Sequence, residues 1–336
     1  MKLATLLAML RGDLLAALSA LGPVRQAQRV AFLAGAGGAN VLPHLAGAGA
    51  TLDEVAKALG IPDEAHDALA SWLRIGVQLG DLRERGGRYA LRSRLARTLA
   101  DPRHAAVLGI VEQQGGLYHR VIREAPYRLR VGAKLALGDV DGELVARASK
   151  ILEPLVCEAV DERVPVRGAF RLLEVGCGSA VYVRRAAQRN PALTALALDV
   201  DPAVVDQARE DIAAWGLEGR IAVACADVMA HASEPVFDLV TLHNCIYYFP
   251  LEQREPLLAK LRGFCRPGGH ILVTTACRGG SVVSDVLSLW GSLTEGCGRL
   301  PDRDELLAQL GRAGWRDAGA RNLLPGDSVH RFVARA

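Results

Sequence analysis

The sequence predicts an α/β protein, with a doubly wound, mostly parallel sheet in its second half and an all-α, winged-helix region in front of it. Three observations carry this. From Gly168 onward, apolar strand-like runs alternate with helical stretches, an arrangement that a parallel sheet covered by helices on both faces accommodates. In LLEVGCGSA a buried strand ends at Glu174 and turns through Gly176 and Gly178 directly into a helix. Before Gly168 the periodicity is helical, and the hairpin signal there is LRERGGRYAL around Gly86-Gly87.

Length and composition set the bounds. The 336 residues have room for two domains at roughly 100–200 residues each, and 50% hydrophobic residues suffice for real cores, which excludes a disordered or fibrous chain. A formal charge of +3 with 23% charged residues gives no concentrated basic footprint, so no nucleic-acid partner is expected. The seven cysteines contain no C-x-x-C pair and sit far apart, which reads as reduced thiols of a cytoplasmic protein and excludes a zinc knuckle.

The N-terminal elements follow in order. Lys2 and the apolar stretch after it resemble a secretion signal, but Arg11 and Asp13 break the stretch. Leu3, Leu6, Leu7, Leu10, Leu14 and Leu18 recur at three- and four-residue steps, so they share a helix face that needs cover, and a homodimer is expected through it. The uncharged stretch 31–50 holds five glycines, Pro43 and His44, so no membrane span is expected. TLDEVAKALG is a short helix with Thr51 as N-cap and Glu54 completing a capping box. A second helix runs over 63–79 and the hairpin follows, giving a helix–turn–helix with a wing. Asp63, Glu64 and Asp67 outweigh the lone Arg74 on that helix and would repel DNA, so the module is assigned to dimerisation or to covering a substrate. The expected domains are 1–100 (winged helix), 101–165 (helical connector or lid, interrupted at Gly115-Gly116 and Pro126, with 142–164 as one long helix) and 166–336.

In the last domain the strands are FRLLEV, TALALD, IAVACAD, FDLVTLH and HILVTT, separated by helices, and VHRFVARA alternates as an antiparallel edge strand would. The chemistry centres on Glu174-Val175-Gly176-Cys177-Gly178. Glycines there let a ligand approach the backbone, and the next helix presents free amide hydrogens. Asp199 ends the second strand, 21 residues after Gly178, where a carboxylate can accept both hydroxyls of a ribose. A dinucleotide fingerprint would need glycine at position 181, which is Val181, so NAD is disfavoured.

With these residues the stretch resembles the class I S-adenosylmethionine-dependent methyltransferases, whose first motif is E/D-x-G-x-G-x-G, Ala180 standing here for the third glycine. The resemblance runs from about Gly168 to Ala336 and includes FDLVTLHNCIYYF and CRPGGHILVTT. It implies a seven-stranded, Rossmann-like methyltransferase sheet and S-adenosylmethionine as cofactor. Glu174, Gly176, Gly178, Asp199, Asp227 and Val228 are then the cofactor-binding residues. Asp201 reads as a helix cap and Asp238 as a structural hydrogen-bonding residue.

Joined to the winged helix, the domain further resembles bacterial small-molecule methyltransferases built like plant phenolic O-methyltransferases. Their general-base histidine follows the fourth strand, at a position held here by Tyr247. His243, four residues earlier at the strand's carboxyl end, is instead placed like a histidine of α-keto acid C-methyltransferases, some of which bind a metal through it. The second metal-binding histidine of that group is replaced by Glu295, so a metal ion lacks a complete ligand set. His243 and Tyr247 are therefore the catalytic candidates, and Tyr118, His119, Tyr247 and Tyr248 the candidates for an acceptor pocket. The expected reaction is methyl transfer to a small molecule of secondary metabolism, first at an acidic carbon with His243 as base or metal ligand, alternatively at a phenolic or polyketide hydroxyl. A non-catalytic winged-helix regulator is the competing class. HNCIYY replaces the N-P-P-Y tetrapeptide of DNA-amino methyltransferases, which speaks against a nucleic-acid substrate.

Overall fold

The computed structural model describes residues 14–336 except positions 140, 325 and 327. Leu3, Leu6, Leu7 and Leu10 of the predicted stripe lie outside the described residues. The chain forms two compact units: one takes the described residues up to Arg120 together with Gly142–Ser149, the other Val121–Asp141 and Lys150–Ala336.

In the first unit a long helix, Leu14–Gly38, buries Phe32, Leu33 and Ala36. Strand β1 (Ala50–Thr51) leads into helix Leu52–Leu59, where Thr51 and Glu54 form the predicted capping box. After a 3₁₀ turn, helix His66–Leu79 feeds β2 (Leu82–Arg85) and β3 (Arg88–Leu91), and the three strands lie in the order β1-β3-β2. Gly86 and Gly87 both have left-handed φ, 58° and 75°, as a two-residue hairpin turn with the twist of the strands requires.

Asp81 holds this unit together. It is fully buried, and its carboxylate accepts from Arg29 Nε at 2.8 Å, from Arg29 Nη2 at 2.7 Å and from the Ser93 hydroxyl. Its carbonyl accepts from the N–H groups of Arg92 and Ser93. Asp81→Ala strips the partners from a buried charged network and is expected to cost on the order of 3 kcal/mol, read as a fall in thermal midpoint.

The connector departs from the sequence expectation twice. Gly115-Gly116 does not interrupt it: helix Ala105–Gln113 continues through a π-helical turn, Gln114–Tyr118, into helix His119–Val131, which also contains Pro126. Gly115 is there for contact, since a Cβ would stand 2.7 Å from Ala34 Cβ. The predicted long helix is broken into Gly142–Ser149, a 3₁₀ turn Lys150–Leu152 and Glu153–Asp161. Pro154 explains the break, because its ring would meet the Lys150 carbonyl and it offers no N–H; a helix can only restart there.

The second unit contains β4 (Phe170–Val175), β5 (Leu193–Asp199), β6 (Ile221–Cys225), β7 (Phe237–His243), β8 (Cys265–Ala276), β9 (Arg316–Asn322) and β10 (Val329–Arg335). Their order is β6-β5-β4-β7-β8-β10-β9, with β4 to β8 parallel and β10 antiparallel to both its neighbours. This is the expected seven-stranded, mostly parallel sheet. VHRFVARA is antiparallel but is not the edge, which corrects the sequence reading. Alternation reports which side chains face a core and is silent about whether a further strand pairs beyond. Phe332 and Ala334 are fully covered, whereas the polar RDAGARN of β9 forms the edge, where charge discourages further pairing.

Two apolar clusters cover the sheet, one around Val240, Leu242, Leu257 and Ile271, the other around Leu172, Val183, Ile212 and Leu272. Strand order reverses between β4 and β7, and in open α/β sheets ligands bind at such a point, outside the carboxyl ends of the strands. Among the described residues no helix is long and apolar enough to cross a membrane.

Candidate active site

The loop after β4 is stitched to β5. The N–H groups of Gly176 and Cys177 both donate to the Leu198 carbonyl, at 2.8 and 3.0 Å. Asp199 completes the closure, one carboxylate oxygen accepting from Gly178 N–H at 3.0 Å and the other from Asp201 N–H at 3.2 Å. Each oxygen keeps a second acceptor direction. Gly176 (φ 69°) admits no side chain, since a Cβ would lie 2.6 Å from Cys245 Sγ, whereas Gly178 (φ 51°) faces open space. Ala180 takes the same left-handed backbone (φ 54°) at the start of helix Val181–Arg189.

Glu174 lies beneath this loop, 1% exposed, and neither carboxylate oxygen is held by a hydrogen bond of good geometry. Burial pushes its carboxyl up to about 8; the N–H of Val183 pulls it part of the way back, and Asp199 adds to the rise. It forms no ion pair among the described residues. A buried acid facing a helix N-terminus without a cation suits a ligand that brings one.

Asp227 is exposed and turns one carboxylate oxygen to Met229 N–H at 2.8 Å. The Val228 side chain is 3% exposed within the core, so its backbone is what it can offer a ligand. Asp201 caps helix Pro202–Ala214 by accepting from Ala203 N–H at 2.9 Å. Asp238 accepts from Arg171 N–H at 2.8 Å and pairs with Arg266. Both therefore have the structural parts expected of them.

His243 ends β7 with its ring buried. Nδ1 is 2.9 Å from Thr274 Oγ1 on β8, where the two residues pair in register, and Nε2 has no hydrogen-bond partner among the described residues. Tyr182, from the helix after the glycine loop, packs edge-on at 4.7 Å. Burial drives the imidazole down to about 3, so it is neutral at physiological pH. Tyr182, Thr274 and Cys245 were not singled out from the sequence, and the pairing of Thr274 with His243 depends on the β7–β8 register, which the chain alone does not show. Burial holds the Cys245 thiol up at about 12 and raises that of Cys177, so neither is a nucleophile.

Past β7, Tyr247 and Tyr248 stack at a tilt with centroids 4.9 Å apart, and each meets Trp290 near-perpendicularly, at 6.4 and 5.9 Å. Trp290 Nε1 is buried without a partner among the described residues. Tyr118 and His119 belong to the first unit, Tyr118 buried and His119 exposed. Glu295 is exposed, and among the described residues no three His, Cys, Asp or Glu are grouped to hold a metal ion.

The family model described as "Methyltransferase domain" matches residues 172–269, the span that carries the glycine loop, Asp199, Asp227 and β7. The chain carries a methyltransferase domain. It is similar to a 3-hydroxy-5-methyl-1-naphthoate 3-O-methyltransferase of Streptomyces sahachiroi, 27% identical over 68% of each chain. It is likewise similar to a demethylspheroidene O-methyltransferase of Rhodobacter capsulatus, 25% identical over 82% of this chain and 71% of that one. In fold it matches the mitomycin 7-O-methyltransferase MmcR with a TM-score of 0.79 at 17% identity, covering 96% of this chain and 99% of that one. A regulator without enzymatic activity is thereby set aside.

The methyltransferase's own residues fit its cofactor. Glu174 is a buried acid with no ion pair among the described residues, Asp199 keeps acceptor capacity on both carboxylate oxygens, and Gly178 leaves open space above the loop.

Proposed function

We propose that the enzyme transfers the methyl group to a hydroxyl oxygen of a small aromatic acceptor in secondary metabolism, with Glu174, Gly176, Gly178, Asp199, Asp227 and the Val228 backbone holding the cofactor. The observation that carries the acceptor class is the Tyr247–Tyr248–Trp290 ring cluster just past the carboxyl end of β7, suited to a planar partner. The relatives named above, which act on a naphthoate and on demethylspheroidene, support oxygen as the methylated atom.

When bound, S-adenosylmethionine supplies an already activated methyl on a sulfonium. What the chain adds is alignment and exclusion of water, and orientation alone can contribute ~7–11 kcal/mol. Asp199 and Asp227 anchor the nucleoside end, and Glu174 answers its positive charge. Tyr247 and Tyr248 orient the acceptor ring. His243 is poorly suited to take a proton, because burial holds its imidazole far below its ordinary value and so disfavours the charged form. It serves better as a neutral hydrogen-bonding group, and readily ionised phenols should outperform aliphatic alcohols. The same property argues against His243 as the base for carbon methylation of an α-keto acid.

Incubation with methyl-labelled cofactor and panels of hydroxynaphthoates, phenols, amines and α-keto acids tests this. Label on a hydroxyarene oxygen is expected, and label on a keto-acid carbon would overturn the reading.

We also propose a homodimer. Leu15, Leu18 and Leu21 recur every three residues along the first helix and are 64%, 54% and 61% exposed. The wild type should elute as a dimer on sizing and the triple glutamate variant as a monomer; a monomeric wild type would contradict the proposal. The seven free thiols support a cytoplasmic setting.

A further inference from the structure

Arg254, on helix Leu251–Phe264, is fully buried and forms no ion pair among the described residues. Burying a guanidinium without a counter-ion is costly, and an apolar side chain of similar volume would avoid that cost. What only arginine supplies is a rigid fork of donors. Its Nε donates to the Phe249 carbonyl at 3.1 Å and its Nη2 to the Arg299 carbonyl, joining the turn after β7 to a loop some fifty residues later.

The surroundings are shaped around that fork. Gly298 N–H donates to the Tyr247 carbonyl at 2.9 Å, a second tie between the same two segments. A Cβ on Gly298 would stand 2.7 Å from Arg254 Nη2 and 2.9 Å from the Phe249 carbonyl oxygen. Gly291, next to Trp290, is equally constrained, since its Cβ would lie 2.4 Å from the Gly298 carbonyl oxygen. The turn bearing Tyr247 and Tyr248 and the helix bearing Trp290 thus meet on one loop, which Arg254 fastens to the turn while Ser288 Oγ, accepting from Leu300 N–H at 3.3 Å, ties it to the helix.

We propose that Arg254 is a positioning residue that clamps the 246–250 turn to the 297–300 loop and so holds the Tyr247, Tyr248 and Trp290 rings as a fixed wall for the acceptor. The role of this wall rests on the acceptor reading above; the clamp itself does not.

Three variants test it: Arg254→Gln, Arg254→Lys, which keeps a charge but lacks the planar fork with its separated donors, and Gly298→Ala, which crowds the fork while leaving the arginine in place. Amide hydrogen exchange over 246–250 and 296–300 is expected to quicken at least tenfold in all three, with 174–180 unchanged. With a hydroxynaphthoate as acceptor, its KM should rise about tenfold or more while the affinity for S-adenosylhomocysteine stays within twofold. Unchanged exchange, or loss of cofactor affinity in the same proportion as the rise in acceptor KM, would overturn the proposal. If the wild type methylates no hydroxyarene, the acceptor reading fails, and the exchange comparison still decides for or against the clamp.

Discussion

Replacing Asp199 with alanine lowers the affinity for S-adenosylmethionine by at least a hundredfold. The carboxylate has two tasks at once. It fixes the loop by accepting from Gly178 and Asp201 N–H groups, and in the proposed binding mode its remaining acceptor directions take two ribose hydroxyls. Hydrogen bonds to a charged group are worth ~1.5–3 kcal/mol each, so losing two ribose contacts alone accounts for roughly two orders of magnitude or more. Asparagine is no mild replacement: its NH₂ group must face one of the two backbone donors. Asp227→Ala should cost less, because that residue is exposed and ties only its own turn. Calorimetric dissociation constants for S-adenosylhomocysteine, measured on each folded variant, check this ranking.

The second large effect is a pH dependence of cofactor affinity that belongs to Glu174. Burial raises this acid, so in the free enzyme it holds a proton until the pH passes about 8. A cation beside it favours the carboxylate, and binding below that pH releases the proton. Affinity should therefore climb with pH, at most tenfold per pH unit, and level off above about 8. The sign for stability is opposite. An unfolded chain loses this proton near 4.5 and the folded chain near 8, so the free enzyme loses stability as pH rises through that window. Glu174→Gln should flatten both dependences. Because the variant meets the same ligand, any titration of the ligand itself is common to both proteins, and an unchanged slope in the variant would show that Glu174 is not the group responsible.

How far the sequence reached depends on the distance over which each feature is built. The Asp201 cap is decided by a few neighbouring residues, and the glycine loop and Asp199 have a motif and a spacing that can be read along the chain, although the contacts between them form only in the fold. The capping box at Thr51 and the turn at Gly86-Gly87 are local in the same way. His243 was located but its state was not. Its neutrality comes from burial beneath Tyr182 of another helix and beside Thr274 of another strand, a register invisible along one chain. Arg254 reads as one more charged position on an amphipathic helix, and nothing nearby announces that two distant carbonyls converge on it. The misplaced edge strand has a similar cause, since the pairing partner beyond β10 is set by the whole sheet.

The most direct test is a calorimetric titration of S-adenosylhomocysteine into the pure wild-type protein and into Asp199→Ala. Saturable uptake at one site per chain, weakened at least a hundredfold by the substitution, is the predicted result. A wild-type protein that takes up none of the compound, or a variant that binds it equally well, would contradict the placing of the cofactor on the loop between β4 and β5.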